Sequence, residues 1–212
     1  MPTGAKTDFG WGRKGGDIRS FLRPAVKMDF DNWKTPKDFD SDPWRIAKSD
    51  ARSATLSKQM NLLNYKGTHL SLSIEREIRL LSPVEIDQQT GMNISKDFPD
   101  IKLVAYLTGN KLTNTGSEKW DENTGMPCIW ILDMFTPSDK TVIVVPFKKT
   151  PVAEFNQVAT TDYFGPIPDD RLKHNDQVLY LKADGKMRGK LGVRPDKAKN
   201  WIGSYSGDTK VL

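Results

Sequence analysis

The side chain that most strongly suggests chemistry is an arginine on the apolar side of a strand pattern. Residues 69–82 alternate apolar and polar side chains, and Arg76 takes an apolar position between Ile74 and Ile78. A guanidinium that points inward has to be ion-paired, line a pocket or lie at a bulge, because burying an unpaired charge is costly. Two interpretations stay open. Arg76 could donate to a sugar hydroxyl or carboxylate, or it could form a structural ion pair with a carboxylate such as Asp133.

Other polar and aromatic side chains could complete a sugar-binding surface around this arginine. Saccharides bind where an aromatic face packs on ring C–H groups while amides, carboxylates and cations hold the hydroxyls. The sequence offers this combination, and the candidate ligand contacts are Arg76, Asn110, Trp130, Asp133 and Lys148. The alternative is that Trp130 and Trp201 are core residues, as large aromatic side chains in strands usually are.

Metal, cofactor and nucleophile chemistry finds little support. The single cysteine, Cys128, excludes an internal disulfide and a multi-cysteine zinc site, and its apolar surroundings suggest a buried side chain. Asp38, Asp40 and Asp42 have the spacing of a calcium loop, but Pro43 stands where an EF-hand needs glycine, so we expect an exposed acidic loop. We therefore predict no metal and no cofactor.

The fraction of hydrophobic residues is high enough for a folded core, and the excess positive charge lies in one region of the chain. The chain has 212 residues, 37% of them hydrophobic, and a formal net charge of +5. Residues 182–212 contain eight Lys and Arg and three Asp, which accounts for the whole excess. Because no aromatic platform repeats along this stretch, we expect a solvated hairpin and loop rather than a nucleic-acid partner. No run reaches the roughly 18 apolar residues of a membrane span.

The elements that must position these residues are mostly strands. Period-2 alternation predicts a hairpin of residues 54–64 and 69–82 around Gly67, and a second hairpin of residues 177–183 and 186–193 around Asp184-Gly185. Residues 45–53 are a weak helix candidate, and residues 85–100 a long polar connection. The sequence thus predicts an all-β, antiparallel β-sandwich with few short helices, as one domain over residues 1–212 in which residues 1–16 could be irregular.

Several segments together resemble an uncharacterised bacterial family of largely exported or lipid-anchored proteins. The similar segments are residues 64–68, 74–81, 110–116 with Trp120, 124–135, 144–148, 162–165, 185–186, 190–195 and 203–205. The run 129–132, with Met134 and Phe135, is the most specific. The resemblance implies a galactose-mutarotase-like β-supersandwich and a periplasmic or extracellular location. Members of that family are longer at both ends, so the resemblance also implies that this chain is a partial copy.

The resemblance implies a sugar-facing scaffold without carrying over an active site. In mutarotases a histidine acid and a glutamate base open and close the sugar ring. The family pattern supports neither His69 nor His174 as that acid, and no equivalent glutamate can be placed. The expected function is a carbohydrate-binding or carbohydrate-processing-associated domain. An aldose-1-epimerase-like isomerase and a structural fragment without a ligand are the alternatives, and enzymatic activity and oligomeric state stay open.

Overall fold

The chain forms two compact units. The computed structural model describes residues 6–8, 36–64, 66–127, 129–132, 135–161, 165–187 and 189–212, with the backbone alone for residues 6–8, 40 and 130–132. Unit 1 comprises Met1–Leu80 and Tyr106–Met134, and unit 2 comprises Leu81–Ala105 and Phe135–Leu212. Each unit has its own sheet and its own core. The description of residues 1–212 as one domain stays a prediction.

Most of the regular elements are short strands. In chain order they are β1 (Lys6–Asp8), α1 (Lys37–Asp40), β2 (Arg45–Ser49), β3 (Ser53–Leu63), β4 (His69–Leu80), α2 (Pro83–Thr90), α3 (Ile94–Asp97), β5 (Tyr106–Asn114), β6 (Trp130–Leu132), β7 (Thr141–Pro146), a 3-10 helix (Val152–Gln157), β8 (Ala159–Thr160), β9 (Leu172–His174), β10 (Val178–Lys182), β11 (Gly192–Val193) and β12 (Gly203–Ser206). Every pairing between these strands is antiparallel.

Unit 1 contains a four-stranded sheet of order β2-β3-β4-β5 and a separate two-stranded sheet in which β1 pairs with β6. The predicted hairpin is confirmed as β3 and β4, and Gly67 takes the positive φ of 84° that its turn requires. Alternate β4 side chains face the core, where Met60, Leu72 and Ile74 are almost fully buried. The apolar alternation of the sequence therefore selects the buried face of this sheet.

Two sequence predictions next to this sheet are wrong. Residues 45–53 form no helix, because β2 pairs with β3 and the carboxylate of Asp50 accepts the backbone N–H groups of Arg52 and Ser53, both at 2.7 Å, to close the turn between the strands. The connection after β4 holds helices α2 and α3. A capping box between Ser82 and Glu85, with proline at the first helical turn, starts α2.

Unit 2 is built on a sheet of order β12-β7-β10-β9 and a separate β8-β11 pair. Its core contains Phe147, Val158, Ala159 and Leu179. The predicted hairpin around Asp184-Gly185 is wrong, because β10 pairs with β7 and β9 while β11 pairs with β8. The carboxylate of Asp184 is bound by Arg171 rather than being a solvated turn group.

The predicted fold class is confirmed at the level of architecture. The protein is an all-β, sandwich-like fold of antiparallel sheets with few short helices. The galactose-mutarotase-like topology stays a prediction. In the part of the chain that the structure describes, no helix is both long and apolar enough to cross a membrane.

Candidate functional site

Arg76 and Asn110, two of the predicted ligand contacts, are direct cross-strand neighbours in unit 1. Arg76 on β4 lies opposite Leu56 on β3 and Asn110 on β5, so all three side chains share the apolar face of the sheet. Arg76 is only 4% exposed, which confirms that it points inward, and it is engaged in interactions within the protein. The amide of Asn110 donates to the hydroxyl of Thr108 at 3.3 Å.

A third polar side chain on this face, Lys58, was not among the predicted contacts. Lys58 lies between Leu56 and Met60 on β3. Its ammonium donates to the backbone carbonyl of Asp38 and to that of Asp42, the latter at 2.7 Å, and lies 5.8 Å from the centre of the Trp44 ring. The backbone of the Asp-rich loop is therefore bound by the ammonium of Lys58. Among the described residues, no three His, Cys, Asp or Glu side chains cluster as metal ligands do.

Two predicted contacts cannot be placed as side chains. Trp130 belongs to β6 and pairs with Asp8 on β1, but its side chain lies outside the described residues. Asp133 and Cys128 also lie outside the described residues. The roles assigned to these residues stay predictions.

Lys148, the last predicted contact, belongs to unit 2, whereas the other four candidates belong to unit 1. Lys148 is exposed, and its backbone N–H donates to the carbonyl of Lys197 at 2.8 Å. The preceding residue, Phe147, forms an antiparallel bridge with Ala198. These backbone contacts bring Lys148 to the segment that precedes β12.

That segment encloses an open pocket of about 300 Å³, here called the Trp201 pocket. A tight turn, in which the N–H groups of Lys197 and Ala198 both donate to the carbonyl of Arg194 at 2.9 Å, directs the chain across the end of β7. The pocket is lined by Val145, Pro146, Val193, Ala198, Lys199, Asn200, Trp201 and Ile202. Its wall is therefore largely apolar, with two polar side chains and one indole.

The polar groups of the Trp201 pocket are available to a ligand. Trp201 is half-buried, while Lys199 and Asn200 are exposed. Within the described residues, neither the Asn200 amide nor the Trp201 indole N–H has a hydrogen-bond partner. The sequence analysis missed this site. The signal that could have indicated it is the succession of a cationic, an amide and an aromatic side chain at Lys199, Asn200 and Trp201, within the basic stretch of residues 182–212.

The carboxylates of the basic C-terminal stretch are already engaged by cations. Asp184 is buried and accepts from the guanidinium of Arg171, with Nη1–Oδ2 at 3.1 Å, while Lys182 approaches to 3.5 Å. The hydrogen bond from Arg171, followed by that from the backbone N–H of Lys186, holds the pKa of Asp184 well below its usual range. Asp196 pairs with Arg194 at 3.1 Å in the same stretch.

The two histidines do not show acid–base geometry. The ring of His174 stacks on Phe155, with centroids 3.7 Å apart and an interplanar angle of 6°. His69 is exposed at the start of β4. In the described ranges, neither imidazole lies within ion-pair distance of a carboxylate.

Some of the segments that carry the family resemblance have a structural role in unit 1. The amide of Asn64 donates to the carbonyl of Thr124 at 2.7 Å and accepts the N–H of Thr68 at 3.0 Å. The ammonium of Lys66 donates to the carbonyls of Glu122 at 2.8 Å and Asn123 at 3.2 Å. The β3–β4 turn is thereby fastened to the loop before β6.

Comparison with known proteins places the chain in a family. Neither the curated proteins nor the solved structures contain a significant match to it. A family of unknown function, DUF6786, matches over residues 2–212. Because this match covers nearly the whole chain, the protein belongs to the DUF6786 family.

Proposed function

We propose that the protein is a carbohydrate-binding domain and that the Trp201 pocket holds the sugar. The observation that carries this proposal is the half-buried indole of Trp201 beside the amide of Asn200 and the ammonium of Lys199. In the described structure, these three side chains form no hydrogen bonds with one another. Sugar rings present C–H faces that pack on an indole and hydroxyls that need donors and acceptors. The three successive side chains at Lys199, Asn200 and Trp201 supply both kinds of contact.

The size and wall of the pocket fit this ligand class. Its volume of about 300 Å³ is at the lower end of the range for small-molecule sites, roughly 300–1,000 Å³. Val145, Pro146 and Ile202 provide apolar wall. A monosaccharide, or one ring of a longer chain, suits such a site better than a large cofactor does.

The geometry favours binding over ring-opening catalysis. An aldose epimerase needs an acid and a base within hydrogen-bond reach of the same sugar ring. Among the described residues, the side chains that line the Trp201 pocket include no histidine, aspartate or glutamate. The roles predicted for Arg76 and Asn110 in unit 1 stay sequence predictions outside this proposal, and Lys148 is connected to the segment before the pocket by its backbone hydrogen bond to Lys197.

The test is calorimetric titration of the protein with a panel of neutral and acidic monosaccharides and short oligosaccharides. For the ligand that binds, we expect Trp201→Ala to weaken binding about tenfold and Trp201→Phe to retain part of it, because the aromatic face makes the main contact. Tyr180→Ala is the matched control. Tyr180 is 39% exposed in the same unit and is not among the described residues that line the pocket. Absence of binding across the panel, or a folded Trp201→Ala variant that binds normally, would refute the proposal.

A further inference from the structure

We infer that the ligand of the Trp201 pocket is an anionic saccharide, one that carries a carboxylate or a sulfate group, and that Lys199 selects it. This inference rests on the proposed function and adds the chemical class of the ligand. Lys199 lines the pocket and is exposed. Within the described residues it has no carboxylate partner, and no acidic residue lines the pocket.

The nearby carboxylates are occupied by other cations. Asp196 pairs with Arg194 at 3.1 Å, and Asp176 pairs with Lys149 at 3.6 Å. Of these two carboxylates, Asp196 lies close in sequence to the pocket-lining residues Ala198 and Lys199. The positive charge of Lys199 is therefore not compensated locally by a described side chain.

Two further lysines add to the positive charge of the same segments. The ammonium of Lys197 donates to the hydroxyl of Thr150 at 3.2 Å, which leaves its charge intact. Lys148 is exposed and linked to Lys197 by a backbone hydrogen bond of 2.8 Å. In the described part of the chain neither lysine has a carboxylate partner. A cleft bordered by charges of one sign concentrates ligands of the opposite sign.

This charge arrangement distinguishes anionic from neutral sugars. A neutral sugar would accept hydrogen bonds from the ammonium of Lys199 and the amide of Asn200. A carboxylate or sulfate on the same ring would accept the same bond from Lys199 and would add the attraction between two opposite charges. The described lining of the pocket contains one indole and no row of aromatic side chains, so a single sugar ring fits it better than a stacked nucleic-acid strand.

The experiment compares galacturonate and galactose 6-sulfate with galactose, and glucuronate with glucose, by calorimetry. We expect the anionic sugars to bind about tenfold more tightly at about 50 mM salt, and the preference to shrink to about twofold at about 300 mM salt, because salt screens exposed charges. Comparing galacturonate with galactose 6-sulfate shows whether the pocket prefers a carboxylate or a sulfate, and either preference supports the inference.

Variants separate this inference from the proposed function. Lys199→Gln should remove the preference for the anion and leave the affinity for the neutral sugar within about twofold. Lys173→Gln is the matched control, because Lys173 is exposed on β9 at the far edge of the same sheet and changes the net charge equally. If neutral and anionic sugars bind equally well and Trp201→Ala weakens both, the inference is overturned and the proposed function stands. If no sugar of either kind binds, both are overturned.

Discussion

The sheet face of unit 1 and the Trp201 pocket of unit 2 both place polar side chains among apolar ones, but they do so differently. In unit 1, the ammonium of Lys58, the guanidinium of Arg76 and the amide of Asn110 lie on an apolar sheet face and are engaged within the protein. In unit 2, the amide of Asn200 and the indole N–H of Trp201 have no hydrogen-bond partner in the described structure.

This difference separates structural polar groups from groups that can serve a ligand. Buried polar groups in folded proteins nearly always form hydrogen bonds. Removing one partner leaves the other buried without a hydrogen bond, which lowers the free energy of unfolding. Lys58 follows that rule, because its two carbonyl acceptors hold the loop containing α1 against β3. Donors at an open pocket are satisfied by water in the free protein, so a ligand can replace that water.

The largest effect on stability should come from the core of the unit 1 sheet. Ile74 is 2% exposed beside Met60 and Leu72. We expect Ile74→Ala to lower the free energy of unfolding by about 3 kcal/mol, because it removes buried methyl groups and leaves a cavity. Urea denaturation measures this loss. Ile46→Ala is the matched control, since Ile46 is 65% exposed on β2 of the same sheet and should change stability by less than about 0.5 kcal/mol. Equal losses for the two variants would contradict this view of the sheet face.

A second effect should appear as a pH dependence at Asp184. Its pKa is lower in the folded protein than in the unfolded chain, because Arg171 and the N–H of Lys186 stabilise the carboxylate. The stabilisation is therefore fully present above the unfolded pKa, about 3.9, and is lost as the pH falls below that value toward the folded pKa.

Thermal unfolding from pH 7 to pH 2 measures this effect. Asp184→Asn should unfold at a lower temperature than the wild type at pH 7, and the difference should narrow below about pH 4. Asp196→Asn is the control, because Asp196 and Arg194 form an exposed pair and exposed pairs contribute little. A difference that stays constant down to pH 2 would show that the ion pair of Asp184 is not its source.

The smallest effect, and the sharpest test of the comparison, uses the same substitution in both regions. Lys58→Met should lower the free energy of unfolding by about 1–3 kcal/mol, because the carbonyls of Asp38 and Asp42 lose their donor. Lys199→Met should change it by less than about 0.5 kcal/mol and should weaken only the binding of anionic sugars. Urea denaturation of both variants measures the change in stability, and calorimetry with both variants measures the change in sugar binding. If Lys199→Met destabilised the protein as much as Lys58→Met, the distinction between the two regions would fail.

Sequence reasoning succeeded where the deciding interactions are local. The β3–β4 hairpin and the inward orientation of Arg76 follow from alternation along one strand and from a glycine that tolerates positive φ.

Helix α2 is a local feature that the sequence analysis did not predict. The signal for its start is present in the sequence, because the capping residues Ser82 and Glu85 lie within one helical turn. That helix was missed because its short, polar segment has only a weak apolar period.

Distant partners explain the failures. Asp184-Gly185 has the chemistry of a hairpin turn, but Arg171, thirteen residues away, binds the carboxylate. Residues 45–49 form a strand because they pair with the edge of β3, and residues 50–52 form the turn between the two strands. Which strand or side chain a residue pairs with depends on which elements come together in the folded chain. The hydrophobic period and the secondary-structure propensity of a segment carry no information about that pairing.

By itself, the sequence determined the all-β class, the buried face of the β3–β4 hairpin and the excess of positive charge in residues 182–212, because each depends on residue types at short spacing. Tertiary structure alone decided which of those charges stay uncompensated and which aromatic side chain borders a pocket. The Trp201 pocket joins the end of β7 to residues about fifty positions later. Such a site exists only after the chain has closed on itself, since its walls share no local pattern.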